Sequence, residues 1–416
     1  MMNSDRQNLW RKRGQHGFGM VELMVGLVIG LISVLVVYEV YTVAEGFKRN
    51  TTATGEAQQT GLFSMFTLGL DLANAGSGVI PESPNLASCS DPGGAMPMRF
   101  AQFYRPVPAV IADSGTANVA DTFVLSYSTA TTLQSAAFFT PNPGFPVASA
   151  PFLVQSPGGF HVNDLAVIIP NPGSPTGVTP CGTAKITAVA LTNDVQGDAL
   201  LTETPVDPPG GIDLSALGGP MLLNMGPCNR VQKVMYSLQA GTWDNKPVCD
   251  AGTPCSLYAT PLLDASAGAS CGKPANPFNP SPIATNIVNM KVQYGIDTDK
   301  DVYRTLDTWV PASNGANGDW TWNTLMSDAM LISQNGAQNG INQIRAVRIG
   351  VIIQSEQFDQ TLGDYNWVLF DCSTHNAACP GRLTGTITKQ ANPAGNWRFR
   401  TYETVIPLRS AIYQRF

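Results

Sequence analysis

Charge is scarce in this sequence. Only 13% of its 416 residues are Asp, Glu, Lys or Arg, about half the usual fraction of roughly 25%. Net charge is −6 at pH 7, so a uniformly basic nucleic-acid surface is excluded. Only three histidines occur, at 16, 161 and 375, and there is no C-x-x-C. That leaves little from which to build a zinc site. H-E-x-x-H and the P-loop pattern are both missing, so neither of these catalytic motifs supports an enzyme. His161 and His375 have no motif around them. Proline is absent between Phe18 and Val79, although the chain holds 31. Helix can therefore run unbroken through that stretch.

What is present is concentrated at the N-terminus. Arg11, Lys12 and Arg13 precede Gly14-Gln15-His16-Gly17-Phe18-Gly19-Met20-Val21-Glu22, and Leu23–Tyr38 then carries no charge. An apolar run of this length suits a membrane-spanning helix. It is too long for the core of a secretory signal, and no small-residue cleavage site follows it. The basic cluster predicts a cytoplasmic N-terminus, and Tyr38 and Tyr41 fall where interfacial aromatics sit. Glu22 is the anomaly. A carboxylate costs about 2.5–3.5 kcal/mol at mid-span and less towards the end.

The joint pattern of basic cluster, Gly17-Phe18, Glu22 and uncharged run resembles the class III leader of type IV prepilins and type II secretion pseudopilins. The resemblance implies cleavage by a prepilin peptidase between Gly17 and Phe18 and N-methylation of Phe18. It also implies pairing of Glu22 with the Phe18 amine of a neighbouring subunit, which sets register in a filament. Loss of the leader takes the basic residues from 24 to 20 and the acidic from 30 to 29, leaving −9.

Four segments are expected: a leader, 1–17; a transmembrane or filament-core helix, 18–43; an amphipathic continuation, 44–78; and an extracytoplasmic β-rich domain, 79–416. Leu62, Phe63, Phe66, Leu70 and Ala73 form one apolar stripe in the continuation. Gly46, Gly55, Gly61 and Gly69 each cost up to about 1 kcal/mol against Ala, which predicts breaks near 46–61. Gly26 and Gly30 form a G-x-x-x-G, a spacing that allows close helix packing. Asn74-Ala-Gly-Ser-Gly78 reads as the helix stop.

Beyond it, short apolar runs between Pro- and Gly-rich stretches predict strands at 121–128, 164–169, 184–191, 231–238, 287–294, 344–353, 385–389 and 397–406. A short helix is expected at 324–335. The stretches 79–120, 135–160, 205–228, 240–282 and 355–382 read as long loops.

Several of these runs extend the resemblance to the PilW-type minor pilins. They are Leu68-Gly-Leu-Asp-Leu-Ala-Asn-Ala-Gly76, the Asp121–Ser126 and Asp164–Ile169 strands, Val231-Gln-Lys-Val-Met-Tyr236 and Asn289-Met-Lys-Val-Gln-Tyr-Gly-Ile-Asp-Thr-Asp299. Val347-Arg-Ile349 and Tyr402–Arg409 complete the set. The implied fold is α+β and pilin-like, with the second half of the long helix packed against a sheet in a disulfide-containing domain. The implied partners are the prepilin peptidase, other minor pilins and the major pilin. The implied site is first the inner membrane, with the β-rich domain periplasmic, and then the pilus at the cell surface. A pilus-tip adhesin and a type II secretion pseudopilin are the alternatives.

Eight cysteines in an exported chain point to disulfides. Cys249–Cys255 and Cys372–Cys379 are the short, turn-rich local candidates. Asp297-Thr-Asp299-Lys-Asp301 has the alternating carboxylates of a calcium loop, but the Gly at position 6 and Glu at position 12 are missing. Its alternative is a polar hairpin turn, and no other cofactor is expected. Trp309, Trp320 and Trp322 could serve as partner contacts or as loop anchors.

Overall fold

The computed structural model describes residues 19–77, 89–90, 109–130, 137–141, 152–154, 159–169, 179–180, 182–191, 199–207, 221–230, 232–238, 249, 254–263, 279–298, 306–312, 343–371 and 381–408. Two compact units divide the chain, Met1–Thr54 and Gly55–Phe416. The helix α1, Met20–Asn74, runs from one into the other without a break.

In the first unit the helix is long and apolar enough to cross a membrane, and its apolar stretch is exposed. Its hydroxyls are turned inward on the backbone. Ser33 Oγ donates to the Ile29 carbonyl and Thr42 Oγ1 to that of Glu39, both at 2.8 Å. This satisfies polar groups that lipid could not. The Arg49–Glu45 pair, at 3.2 Å, then stitches consecutive turns. The breaks expected at 46–61 do not occur. One glycine in a helix weakens it without ending it, and back-bonding by Thr51 and Thr54 continues across the region.

In the second unit the strands are β1 (Cys89–Ser90), β2 (Ala109–Ala112), β3 (Thr122–Tyr127), β4 (Ala137–Pro141), β5 (Phe152–Val154), β6 (Asp164–Ile169) and β7 (Thr179–Pro180). They continue as β8 (Gly182–Leu191), β9 (Ala199–Asp207), β10 (Met221–Pro227), β11 (Gln232–Leu238), β12 (Cys255–Pro261) and β13 (Ser281–Ile296). The last are β14 (Thr308–Val310), β15 (Ile344–Asp359), β16 (Tyr365–Leu369), β17 (Leu383–Ile387), β18 (Gln390–Ala391) and β19 (Ala394–Pro407).

All eight expected strands are present. The five expected loops are not plain loops, because β1, β2, β4, β5, β10, β12 and β16 lie within them. These strands are short, and the prolines and glycines around them masked their apolar runs. The helix expected at 324–335 lies outside the described residues.

Nine strands make one sheet in the order β18-β19-β15-β13-β12-β11-β3-β2, with β14 also paired to β13. Its neighbours are antiparallel. One face packs on the end of α1 around Leu68, Leu72, Phe123, Leu125, Tyr236, Val292, Tyr294, Ile349 and Val351. The other face carries the β16–β17 hairpin, whose Trp367 and Leu369 pack with Val288, Ile352 and Phe399. A bulge between Ile287 and Asn289 lets β13 serve both. After it, Met290, Val292 and Tyr294 point into the helix-side core, while Asn289, Lys291 and Gln293 face the other way.

A second body grows out of this sheet. β3 and β11 pair as a hairpin, with Tyr127 opposite Gln232. The chain between them forms a closed six-stranded barrel, β10-β4-β5-β9-β8-β6. Its interior holds Val154, Phe160, Ala166, Ile168, Ile186, Leu201 and Leu222. Closure leaves it no free edge. The junction is braced: Ser128 Oγ donates to the Asn224 carbonyl at 2.9 Å, and the Thr129 amide to that of Met225 at 3.1 Å. Gly226 at φ +90° lets the strand pass close to the Thr129–Ala130 backbone.

Candidate functional site

The seat of α1 on the sheet is set by side-chain size. Ala57, Gly61, Ser64, Leu68, Leu72 and Ala75 recur at three and four spacing and are buried. Gly61 is required there, since a Cβ would come within 2.3 Å of the Tyr402 ring. Asp71 anchors the last turns. Tyr127 donates to its Oδ1 at 3.3 Å and Tyr236 to its Oδ2. Burial pushes both phenols up, and Asp71 adds to the effect. The helix stops where expected. Gly76, at φ +74°, donates its amide to the Ser126 carbonyl at 2.8 Å. Ser128 returns a 2.8 Å bond to Ser77.

The stripe singled out in the sequence is not this face. Leu62, Phe63, Phe66 and Leu70 are 54–69% exposed. Sequence periodicity favoured large side chains, whereas close approach to the sheet selected small ones around Leu68 and Leu72. Residues 57–75 thus carry two opposite apolar faces.

The polar residues of the strand motifs are buried braces. Lys291 Nζ reaches Asp121 Oδ1 at 2.9 Å, Ser114 Oγ at 2.8 Å and the Thr116 carbonyl at 2.8 Å. All three donors of the ammonium are thereby satisfied. Asp121 Oδ2 accepts the Val292 amide at 3.0 Å. Arg348 lies between the rings of Trp309 and Phe370, 4.6 and 4.3 Å from their centroids, and bonds Gln293. Burial lowers its guanidinium to about 10, against the pull of Glu403. Trp309 is therefore a packed anchor. Trp320, Trp322 and His375 lie outside the described residues. His161 is exposed, with its amide on Asp164 Oδ2 at 2.8 Å.

The remaining sequence candidates divide. Gly17 and Phe18 lie outside the described residues, and Glu22 stands exposed in the first turn of α1. Cys249 and Cys255 are joined in a disulfide, and Cys228 is disulfide-bonded too. Cys372 and Cys379 lie outside the described residues. Asp297 is buried with its Oδ2 on Arg345 Nη2 at 2.9 Å. Asp299 and Asp301 lie outside the described residues. Among the described residues no group of three His, Cys, Asp or Glu side chains is placed to hold a metal. These buried braces are what the sequence pattern did not reveal. Their signal was the polar alternation Asn289-x-Lys291-x-Gln293 inside an apolar strand.

A long apolar N-terminal helix whose far end is locked onto an antiparallel sheet is the construction of a pilin-type subunit. Residues 12–38 match the prokaryotic N-terminal methylation motif, and residues 255–410 match the type IV pilus-assembly protein W family. Together the two matches support a PilW-like type IV pilus protein, a minor pilin involved in type IV pilus assembly, and the methylation motif with the apolar helix fits a membrane-anchored pilin. Both matched families are structural rather than catalytic. No curated protein and no solved structure matches the chain. The barrel falls between the two matched regions.

Proposed function

We propose that this minor pilin is a low-copy subunit of a priming complex with other minor pilins at the tip of the fibre. Before assembly it stands in the inner membrane with its N-terminus cytoplasmic and its β-rich unit periplasmic. Prepilin peptidase cuts between Gly17 and Phe18, and Phe18 is methylated. Glu22 then meets the amine of a neighbouring subunit and sets register. A desolvated charge pair of this kind is costly to break once made.

The observation that carries the tip reading is the barrel set into the β3–β11 hairpin. It adds a second closed body to the sheet-bearing unit, and such bulk is hard to repeat along a thin fibre. Quantitative mass spectrometry of sheared fibres tests this reading. The expected result is N-methylated Phe18 as first residue and a copy number far below that of the major subunit. Shaft-level abundance, or an intact Met1 start, would overturn it.

A further inference from the structure

Cys228 lies where the chain leaves the barrel, between β10 and β11, and is buried in a disulfide. Neither of its nearest cysteines along the chain is the partner. Cys249 is already bonded to Cys255, with Cα atoms 5.5 Å apart. Cys181 is out of reach. Its neighbour Gly182 stands opposite Ile168 on one side of β6, and Pro227, next to Cys228, stands opposite Asp164 on the other. About 13 Å of strand and two strand spacings of about 4.8 Å each lie between them. One further residue at each end, about 3.8 Å apiece, cannot bring the cysteines within the roughly 7 Å that a disulfide spans. Any other partner leaves at least one cysteine between the two along the chain.

We infer that this chain depends on a dithiol disulfide isomerase to fold, because the bond of Cys228 skips over other cysteines and a rival bond to a nearer one forms more readily. The inference rests on the periplasmic placement proposed above, where thiols are oxidised. In the open chain, Cys249 closes a loop on Cys228 less than half as long as any cysteine that remains as its partner. Each doubling of loop length disfavours closure about threefold. The rival bond is incompatible with the sheet. Cys228 precedes Gln232 at one end of β11, whereas Cys255, opposite Ile287, lies beyond the Leu238–Leu257 pair at the other. Those ends are about 20 Å apart.

A thiol oxidase makes each bond by taking two electrons and two protons from two thiols. At the wrong bond the isomerase thiolate attacks the Cys228 sulfur, forming a mixed disulfide and releasing Cys249 as a thiolate. The thiolate of the native partner then attacks the same sulfur and expels the isomerase, so no electrons are gained or lost. Cys249 is left to be oxidised with Cys255. The exchange belongs to the open chain, since Cys228, Cys249 and Cys255 are all buried once it folds.

The test maps disulfides in the full-length chain, made in piliated cells that hold a periplasmic thiol oxidase, with and without the isomerase. Free thiols are blocked in denaturant and the unreduced peptides are mapped by mass spectrometry, so the readout does not depend on folding. With both enzymes, Cys249 is expected with Cys255, and Cys228 with a cysteine other than Cys181 or Cys249; Cys271 is the first that remains further along the chain. Without the isomerase, a Cys228–Cys249 peptide appears and the native map falls at least about threefold, as the loop lengths require. In the double variant Cys249→Ser, Cys255→Ser, which has no rival, the Cys228 bond forms equally well without the isomerase. An unchanged native map without the isomerase, equal dependence in the double variant, or Cys228 found with Cys181 or Cys249 when both enzymes are present overturns the inference. Recovery of the chain in fibres is scored separately, and a native map in a chain absent from fibres sinks only the pilus reading. A chain with all its thiols free overturns the periplasmic placement and the inference together.

Discussion

The Asp71 carboxylate on α1 accepts a hydrogen bond from the Tyr236 hydroxyl on β11. One bond thus ties the end of the helix to the middle of the nine-stranded sheet. Tyr236 is buried and also stacks on Phe123, with ring centroids 5.1 Å apart. Hydrogen bonds to charged groups contribute about 1.5–3 kcal/mol. Tyr236→Phe keeps the stacking and removes the bond, so a loss of about that size is expected in the denaturant midpoint. Tyr127→Phe, with a 3.3 Å bond from a partly exposed ring, costs less. Equal losses would show that Asp71 does not distinguish its two donors.

Gly61 and Gly69 make opposite predictions on one helix. Gly69 has nothing within 4 Å of a would-be Cβ, so Gly69→Ala stabilises by about 0.5–1 kcal/mol. At Gly61 the same methyl meets the Tyr402 ring. Overpacking costs about 1–3 kcal/mol, enough to reverse the helix-propensity gain. Thermal melts of the two variants in detergent check the sign. If Gly61→Ala also stabilises, Tyr402 is free to yield.

The longer strands and the end of the helix were the most legible in the sequence. Eight strand runs and the helix stop at Asn74–Gly76 were visible because alternation and left-handed residues are local signals. The face of α1 was misread because period alone cannot choose between two apolar stripes. That choice is made by Tyr402, distant in sequence, which admits only Gly61. The barrel was hidden because strands as short as Phe152–Val154 gain their stability from closure rather than from propensity. The Lys291–Asp121 contact joins residues far apart in the chain, and each looked like an isolated polar residue in an apolar run.

That contact has a pH signature. Burial pushes the Asp121 carboxyl up from 3.8 to about 6, while Lys291 pulls the other way. The folded chain then holds a proton that the unfolded chain has released across this window. The contribution of Asp121 to stability is therefore present below pH 3.8 and is lost as pH rises to about 6. Asp121→Asn removes this dependence, because a neutral amide has no proton to lose. Urea midpoints of the intact protein are expected to fall relative to those of the variant from pH 4 to pH 6. A rise relative to the variant would mean that attraction to Lys291 outweighs desolvation.

The barrel makes the last prediction, because its insertion point is a strand pair already in register. Tyr127 stands opposite Gln232, so an Asn-Gly turn can close β3 onto β11 once residues 128–231 are removed. The core around Leu68, Leu72, Tyr236, Val292 and Ile349 draws nothing from the barrel interior. The shortened chain is expected to keep its sheet by circular dichroism and to enter fibres. If bulk is what restricts copy number, its abundance per fibre rises above that of the intact protein. Unchanged abundance with normal folding would show that the bulk of the barrel does not restrict copy number.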